Sequence, residues 1–245
     1  MKDIFSAQSE LYARYRPTYP PDLFEFILKQ VSERNMAWDC ATGNGQTAKD
    51  LAPFFTKVMA TDISQHQLSN AINIPNVFYS VQAAEHTDFE DNSFDLVTVS
   101  QALHWFDFDL FYKELFRVTR SGGWLATWMY GGMTVTPQID SIKQDFHKNI
   151  LGPYWDPERI LVDTNYATIP FPLKEILCPL FSLNAEWDLD DIRGYFNTWS
   201  AVQKFMQDKG YNPTDEIMEK IARHWPNEKM TIRFPLYLRM GQVLK

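Results

Sequence analysis

The segment Asp39-Cys-Ala-Thr-Gly-Asn-Gly45 joins the apolar run Met36 to Ala41 to a helix-like stretch that opens at Gln46. Glycines in such a turn let the backbone approach a ligand closely, and the free N–H groups at a helix start point toward it. A second carboxylate, Asp62, ends the next apolar run in Thr61-Asp62-Ile63, where it is placed to accept two ribose hydroxyls. The order strand, glycine turn, helix, strand, Asp predicts a site for an adenosine-containing ligand. Gly43-Asn-Gly45-Gln-Thr-Ala48 also satisfies the dinucleotide fingerprint G-x-G-x-x-A, so two ligand classes compete. Charge separates them: a carboxylate at the strand tip repels a pyrophosphate, whereas Asp39 suits the ammonium of an amino acid.

S-adenosylmethionine presents such an ammonium and carries no phosphate, which favours it over a nicotinamide dinucleotide. His104 and Trp105 follow the apolar run Phe94 to Ser100 and are expected at the reacting centre. His104 there either orients an anionic acceptor, acts as a base for a hydroxyl or amine, or is a hydrogen-bonded structural histidine. A carboxylate acceptor is already ionised at neutral pH and needs no base. His66, His86, His147 and His224 read as structural, because no pair has ligand spacing with a third donor; no metal is expected. Cys40 and Cys178 are too few and too far apart for a disulfide framework or metal cluster.

Short apolar runs alternate with helix-like stretches between Asn35 and Arg120. Met36 to Ala41, Lys57 to Thr61, Val77 to Val81 and Phe94 to Ser100 read as strands, and Gln46 to Phe54, Gln65 to Ile72 and Phe108 to Thr119 as helices. Ser64 is the expected N-cap of the second helix. Such alternation implies right-handed crossovers and a parallel sheet, an α/β doubly wound fold. Ser121-Gly122-Gly123 turns into a strand from Trp124 to Tyr130. Six prolines from Pro137 to Pro179 then punctuate a stretch without a clear βαβ unit, and 133–172 reads as a helical insertion after the fifth strand. Phe181 to Trp187 reads as a strand, Leu189 to Gln207 and Thr214 to His224 as helices, and Met230 to Met240 as a final strand whose Pro235 argues against full pairing. The whole, 1–245, reads as one domain: N-terminal segment 1–34, cofactor-binding core 35–132, insertion 133–172 and C-terminal part 173–245.

A net charge of -8 gives no general attraction to phosphate backbones or anionic membranes, so neither nucleic acid nor membrane is an expected partner. The start MKDIFSAQSE lacks an apolar core and no long apolar run follows, which predicts a soluble, cytoplasmic protein. Its oligomeric state has no sequence signal. Aromatic residues make up 15% of the chain, enough to line an enclosed apolar pocket for a small acceptor as well as to fill a core.

From Asp39 to Ala126 the chain resembles the class I S-adenosylmethionine-dependent methyltransferases. The likeness includes Ala83-Ala84-Glu85, Asn92-Ser-Phe-Asp95 through His104-Trp105-Phe106, and Glu114-Leu-Phe-Arg117-Val-Thr-Arg-Ser-Gly122-Gly123. The resemblance implies a Rossmann-like, seven-stranded, mostly parallel sheet whose antiparallel last strand inserts beside the fifth. It implies that Asp39 holds the methionine amino group, Asp62 the ribose and Gly43 and Gly45 the floor, with Ala41 where the family often has a first glycine. Ile63, Ala84 and Glu85 would border the adenine, and Ser100 and Gln101 the methionine moiety. Tyr12-Ala-Arg14-Tyr15-Arg16-Pro17, Glu186-Trp187 through Ser200 and Phe234-Pro-Leu-Tyr-Leu are similar to a narrower subgroup that includes the trans-aconitate methyltransferases. That likeness implies an N-terminal lid in which Tyr12, Tyr15 and Arg16 close over the cofactor, and it favours a carboxylic acid acceptor. Trp105, Trp128, Tyr130, Tyr195 and Trp199 are the expected acceptor lining, with Arg16, Arg193 or Arg239 to hold an anion. The rival readings are an NAD(P)-dependent oxidoreductase and a non-catalytic methyltransferase-like domain.

Overall fold

Four parallel strands, three of them mostly buried and the edge strand Val77–Val81 half-exposed, open the sheet of the structure, a computed structural model that describes residues 18–226 and 228–245. β1 (Met36–Cys40), β2 (Lys57–Asp62), β3 (Val77–Val81) and β4 (Phe94–Ser100) are linked by α2 (Gln46–Leu51) and α3 (Gln65–Ser69), with α1 (Pro21–Gln30) before them. α4 (Phe108–Val118) and β5 (Thr119–Tyr130) follow. The sheet order is β3-β2-β1-β4-β5, all parallel, so the order reverses between β1 and β4. A parallel sheet needs cover on both faces. On one face Leu23 and Ile27 of α1 and Leu51 of α2 pack with Trp128; on the other Phe111 and Leu115 of α4 pack with Trp38 and Phe94.

α4 shows why such a helix forms. Asp107 caps it by accepting the Leu110 N–H at 3.1 Å, and Phe111, Leu115 and Val118 fall on the face that meets the sheet. Ser64 caps α3 as expected, accepting the Gln67 N–H. α2 and α3 stop at Leu51 and Ser69, earlier than their sequence patterns imply. β5 begins at Thr119, directly after α4; Phe94 pairs with Thr119 but Leu96 with Trp124, so the Ser121-Gly122-Gly123 turn lies inside the strand as an irregularity, with Gly122 at φ +84°.

Beyond β5 come α5 (Pro137–Asp145), which runs into a π turn over Phe146–Ile150, then α6 (Arg159–Asp163), β6 (Lys174–Ile176) and β7 (Phe181–Trp187). α7 (Leu189–Asn197), α8 (Ser200–Lys209), α9 (Thr214–Ala222) and β8 (Met230–Gln242) complete the order. β8 lies antiparallel beside β5, the position the resemblance implies. The sheet has eight strands rather than seven, because the far edge of β8 is covered by two pieces. Ile176 of β6 pairs with Met240 and Phe181 of β7 with Leu236, so four residues bulge opposite three, at the Cys178-Pro179 break.

Two sequence expectations change here. Pro235 is accommodated: its carbonyl accepts the Gly131 N–H at 2.8 Å, so its missing donor faces the end of β5, where the ladder stops. The helix expected over Leu189 to Gln207 is two helices, because Thr198 turns its hydroxyl back onto the Tyr195 carbonyl at 2.6 Å and Trp199 adopts an extended backbone.

Candidate active site

Ligands of open α/β sheets bind at the carboxyl ends of the strands where the order reverses. Here that crevice lies between β1 and β4, and Thr47 of α2 donates across it to the Ser100 hydroxyl at 3.2 Å. Its backbone is unusual. Ala41, Gly43, Gly45 and Gln101 all have positive φ, at 55°, 58°, 84° and 55°. Left-handed alanine and glutamine are costly and persist only where the surroundings impose them, a condition common at functional sites. A Cβ at Gly43 would project into open space, whereas one at Gly45 would run into the Tyr79 side chain.

Asp62 ties the two loops together. Its carboxylate accepts the Gly43 N–H and the Ser64 N–H, both at 2.9 Å. A carboxylate has about four acceptor positions, so these bonds are compatible with a ribose diol on the same group. Asp39, at the tip of β1, has no solvent exposure and accepts the hydroxyls of Thr42 (2.5 Å) and Thr98 (2.8 Å). Burial pushes its carboxyl up to about 7, against the opposing pull of those hydroxyls. Ala84 is buried in the core beside Trp38, so only its backbone is available to an adenine; Glu85 accepts the Asp107 N–H at 3.2 Å, and Ile63 is half-buried after the β2 tip. Tyr12, Tyr15 and Arg16 lie outside the described residues.

A cavity of about 770 Å³ opens beside the β4 tip. Gln101, His104, Trp105, Tyr130, Tyr195 and Trp199 line it, so most of the expected acceptor residues are brought together. The helix break at Thr198 is what lets Trp199 line the cavity, stacked with Phe146 and in edge contact with Phe196. Three expected residues are elsewhere. Trp128 is fully buried in the core against Tyr19 and Phe24, Arg193 is paired with Asp215 at 2.5 Å, and Arg239 is held by Glu175 and the carbonyls of Tyr166 and Ile169.

His104 is joined through Nδ1 to the Tyr166 hydroxyl at 2.7 Å. Burial, helped by the charge of Arg159, lowers its titration to about 3, so the ring is neutral at physiological pH and a weak proton acceptor. The insertion contributes lining that the sequence did not mark: Lys143, His147, Trp155 and Arg159. His147 lies on the π turn against the Trp155 ring, 4.7 Å between centroids, and burial lowers it to about 4. No motif spacing distinguishes these residues; the weak pointer is Arg159 with Asp163 four residues on, an ordinary helix ion pair.

Residues 38–127 match the family model for a methyltransferase domain. A Dictyostelium discoideum protein named as a methyltransferase is 33% identical over 98% of this chain and 95% of its own length. A solved structure described as a type II methyltransferase, from Anaeromyxobacter dehalogenans, superposes with a TM-score of 0.86 at 36% identity, covering 94% of this chain and 98% of that one. Phosphoethanolamine N-methyltransferase 2 of Haemonchus contortus, solved with S-adenosyl-L-methionine, shares the fold at a TM-score of 0.50 and 18% identity, over 98% of this chain and 57% of that one.

Proposed function

The chain belongs to the methyltransferase-domain family, and from that premise we propose that it uses S-adenosylmethionine to methylate a small carboxylic acid. The crevice suits that cofactor: Asp62 keeps acceptor positions that a ribose would use, the backbone at Gly43 faces open space for close approach, and Ser100 and Gln101 at the β4 tip would border the methionine. A cationic ligand near the loop would draw Asp39, raised by burial, into its ionised form, which in turn favours that ligand. When bound, the cofactor supplies a methyl group on a positively charged sulfur; it passes to a carboxylate oxygen while the C–S pair stays on sulfur, leaving S-adenosylhomocysteine.

The observation that supports the acceptor class is the engagement of His104 at the aromatic-walled cavity: its Nδ1 is tied to the Tyr166 hydroxyl at 2.7 Å, and burial lowers both His104 and His147, which weakens them as bases for a phenol or an ammonium. A carboxylate needs no deprotonation. The aromatic walls then position and desolvate it, which is most of what an in-line displacement at a methyl requires of a protein. The cavity size suits a small-molecule acceptor. The rival oxidoreductase reading requires NAD(P) at the same crevice.

The test is S-adenosylhomocysteine production with a panel of small carboxylic acids, phenols and amines. Methyl ester formed from at least one acid is expected. Turnover confined to phenols or amines overturns the acceptor class, and a dependence on His104 with a rate rising through neutral pH would restore it as a base.

A further inference from the structure

Arg159 opens α6 with only part of its guanidinium engaged. Nε donates to Asp163 at 2.8 Å, while Nη1 and Nη2 have no hydrogen-bond or ion-pair partner among the described residues. The group lies over the Trp155 ring, 4.6 Å from its centroid, and about a quarter of the side chain is exposed, at 28%. A guanidinium held over an aromatic face is fixed in place with its edge donors still open, and those donors can pair with a carboxylate through two parallel bonds. Trp155 in turn packs on His147, whose Nε2 is buried without a hydrogen-bond partner among the described residues. All four line the same cavity as His104.

Most other charges of the cavity have a partner. Lys143 is bound to the Met133 carbonyl and lies 3.6 Å from Asp140, and Asp156 is paired through Oδ1 with Lys204 at 2.7 Å, while its Oδ2 is buried without a hydrogen-bond partner among the described residues. Lys148 is exposed at the edge. A buried polar atom without a partner costs free energy unless a ligand or water takes it up, so His147 Nε2 and the adjacent open donors of the Arg159 fork mark where a polar group of the ligand belongs.

We propose that Arg159 is the anchor for the acceptor's carboxylate, in a subsite it forms with His147 and Trp155. The inference rests on the acid-methylation reading and assigns the anion to the insertion, in place of Arg193 and Arg239, which are committed to structural pairs. The charge of Arg159 acts on both His104 and His147, which places both rings within its electrostatic reach. An anion bound there meets the Arg159 cation beside the His104 and His147 rings, Asp163 competes with it for the guanidinium, and Asp156 is the other acid lining that side of the cavity.

The experiment titrates aliphatic and aromatic carboxylic acids, each beside its neutral amide, into the full chain with and without S-adenosylhomocysteine, reading tryptophan fluorescence and heat. At least one acid is expected to bind about tenfold more tightly than its amide. Arg159→Gln should abolish that preference while leaving the amide within about twofold and S-adenosylhomocysteine affinity unchanged, and Asp163→Asn should strengthen acid binding. An acid-to-amide ratio equal in wild type and Arg159→Gln, or no acid preferred over its amide, overturns the subsite. Failure of S-adenosylhomocysteine to bind wild type is a separate result, which removes the methyltransferase reading and leaves the acid preference still measurable on the ligand-free protein.

Discussion

Ala41 carries a conformational cost that a glycine there would avoid, since its φ of 55° is left-handed. The left-handed penalty of about 1–2 kcal/mol is partly offset in Ala41→Gly by the extra unfolded-state freedom of glycine. A gain of about 0.5–1 kcal/mol in urea unfolding is therefore expected, with cofactor affinity retained; a loss of stability would mean that the Ala41 methyl packs usefully. Asp39 makes a pH-dependent prediction. Burial raises its folded carboxyl to about 7, above the ordinary 3.8 of an aspartate, so the folded state holds the proton more tightly and stability falls as pH rises between those values. Asp39→Asn lacks this dependence. The melting temperature of wild type relative to the variant should fall from about pH 5 to about pH 8 in the ligand-free protein, and an unchanged difference would show that the carboxyl is not raised. A bound cation favours the ionised form, so cofactor affinity should weaken below neutral pH in wild type and less in the variant.

At the scale of elements, Arg239 fastens the insertion to the sheet. From β8 it reaches the Tyr166 and Ile169 carbonyls at 3.0 and 2.8 Å and Glu175 beside β8, while its guanidinium covers Phe171. The ion pair is partly exposed and adds little, so the charged bonds to two carbonyls set the scale. Arg239→Ala should cost about 1–3 kcal/mol and disturb His104 through Tyr166, raising the acceptor KM more than the cofactor KM. Equal change in both would indicate general unfolding. The central strands, the Ser64 cap and the β5–β8 neighbourhood were readable because local periodicity, capping chemistry and family resemblance all pointed the same way. What escaped has physical causes. The helix break at Thr198 depends on a side-chain bond to the Tyr195 carbonyl, Trp128 and Trp199 are indistinguishable by residue type, and Arg159 acquires its role only when a short helix of the insertion packs over the β4 tip.

Across the whole molecule, two neighbouring regions divide the work. The crevice between β1 and β4 is built from backbone conformations and two buried acids, and the adjoining cavity from aromatic side chains and the insertion. Among the described residues no helix is long and apolar enough to cross a membrane. The division predicts separable variants: changes at Arg159 or Trp199 should act on acceptor binding, and changes at Asp62 on cofactor binding. The most direct measurement of the central claim is a calorimetric titration of S-adenosylhomocysteine and of NADH into wild type and Asp62→Asn. Binding of S-adenosylhomocysteine alone is predicted, weakened in the variant by about 1.5–3 kcal/mol, the range for hydrogen bonds to a charged group. Binding of NADH with none of S-adenosylhomocysteine, or identical S-adenosylhomocysteine affinity in both proteins, would contradict it.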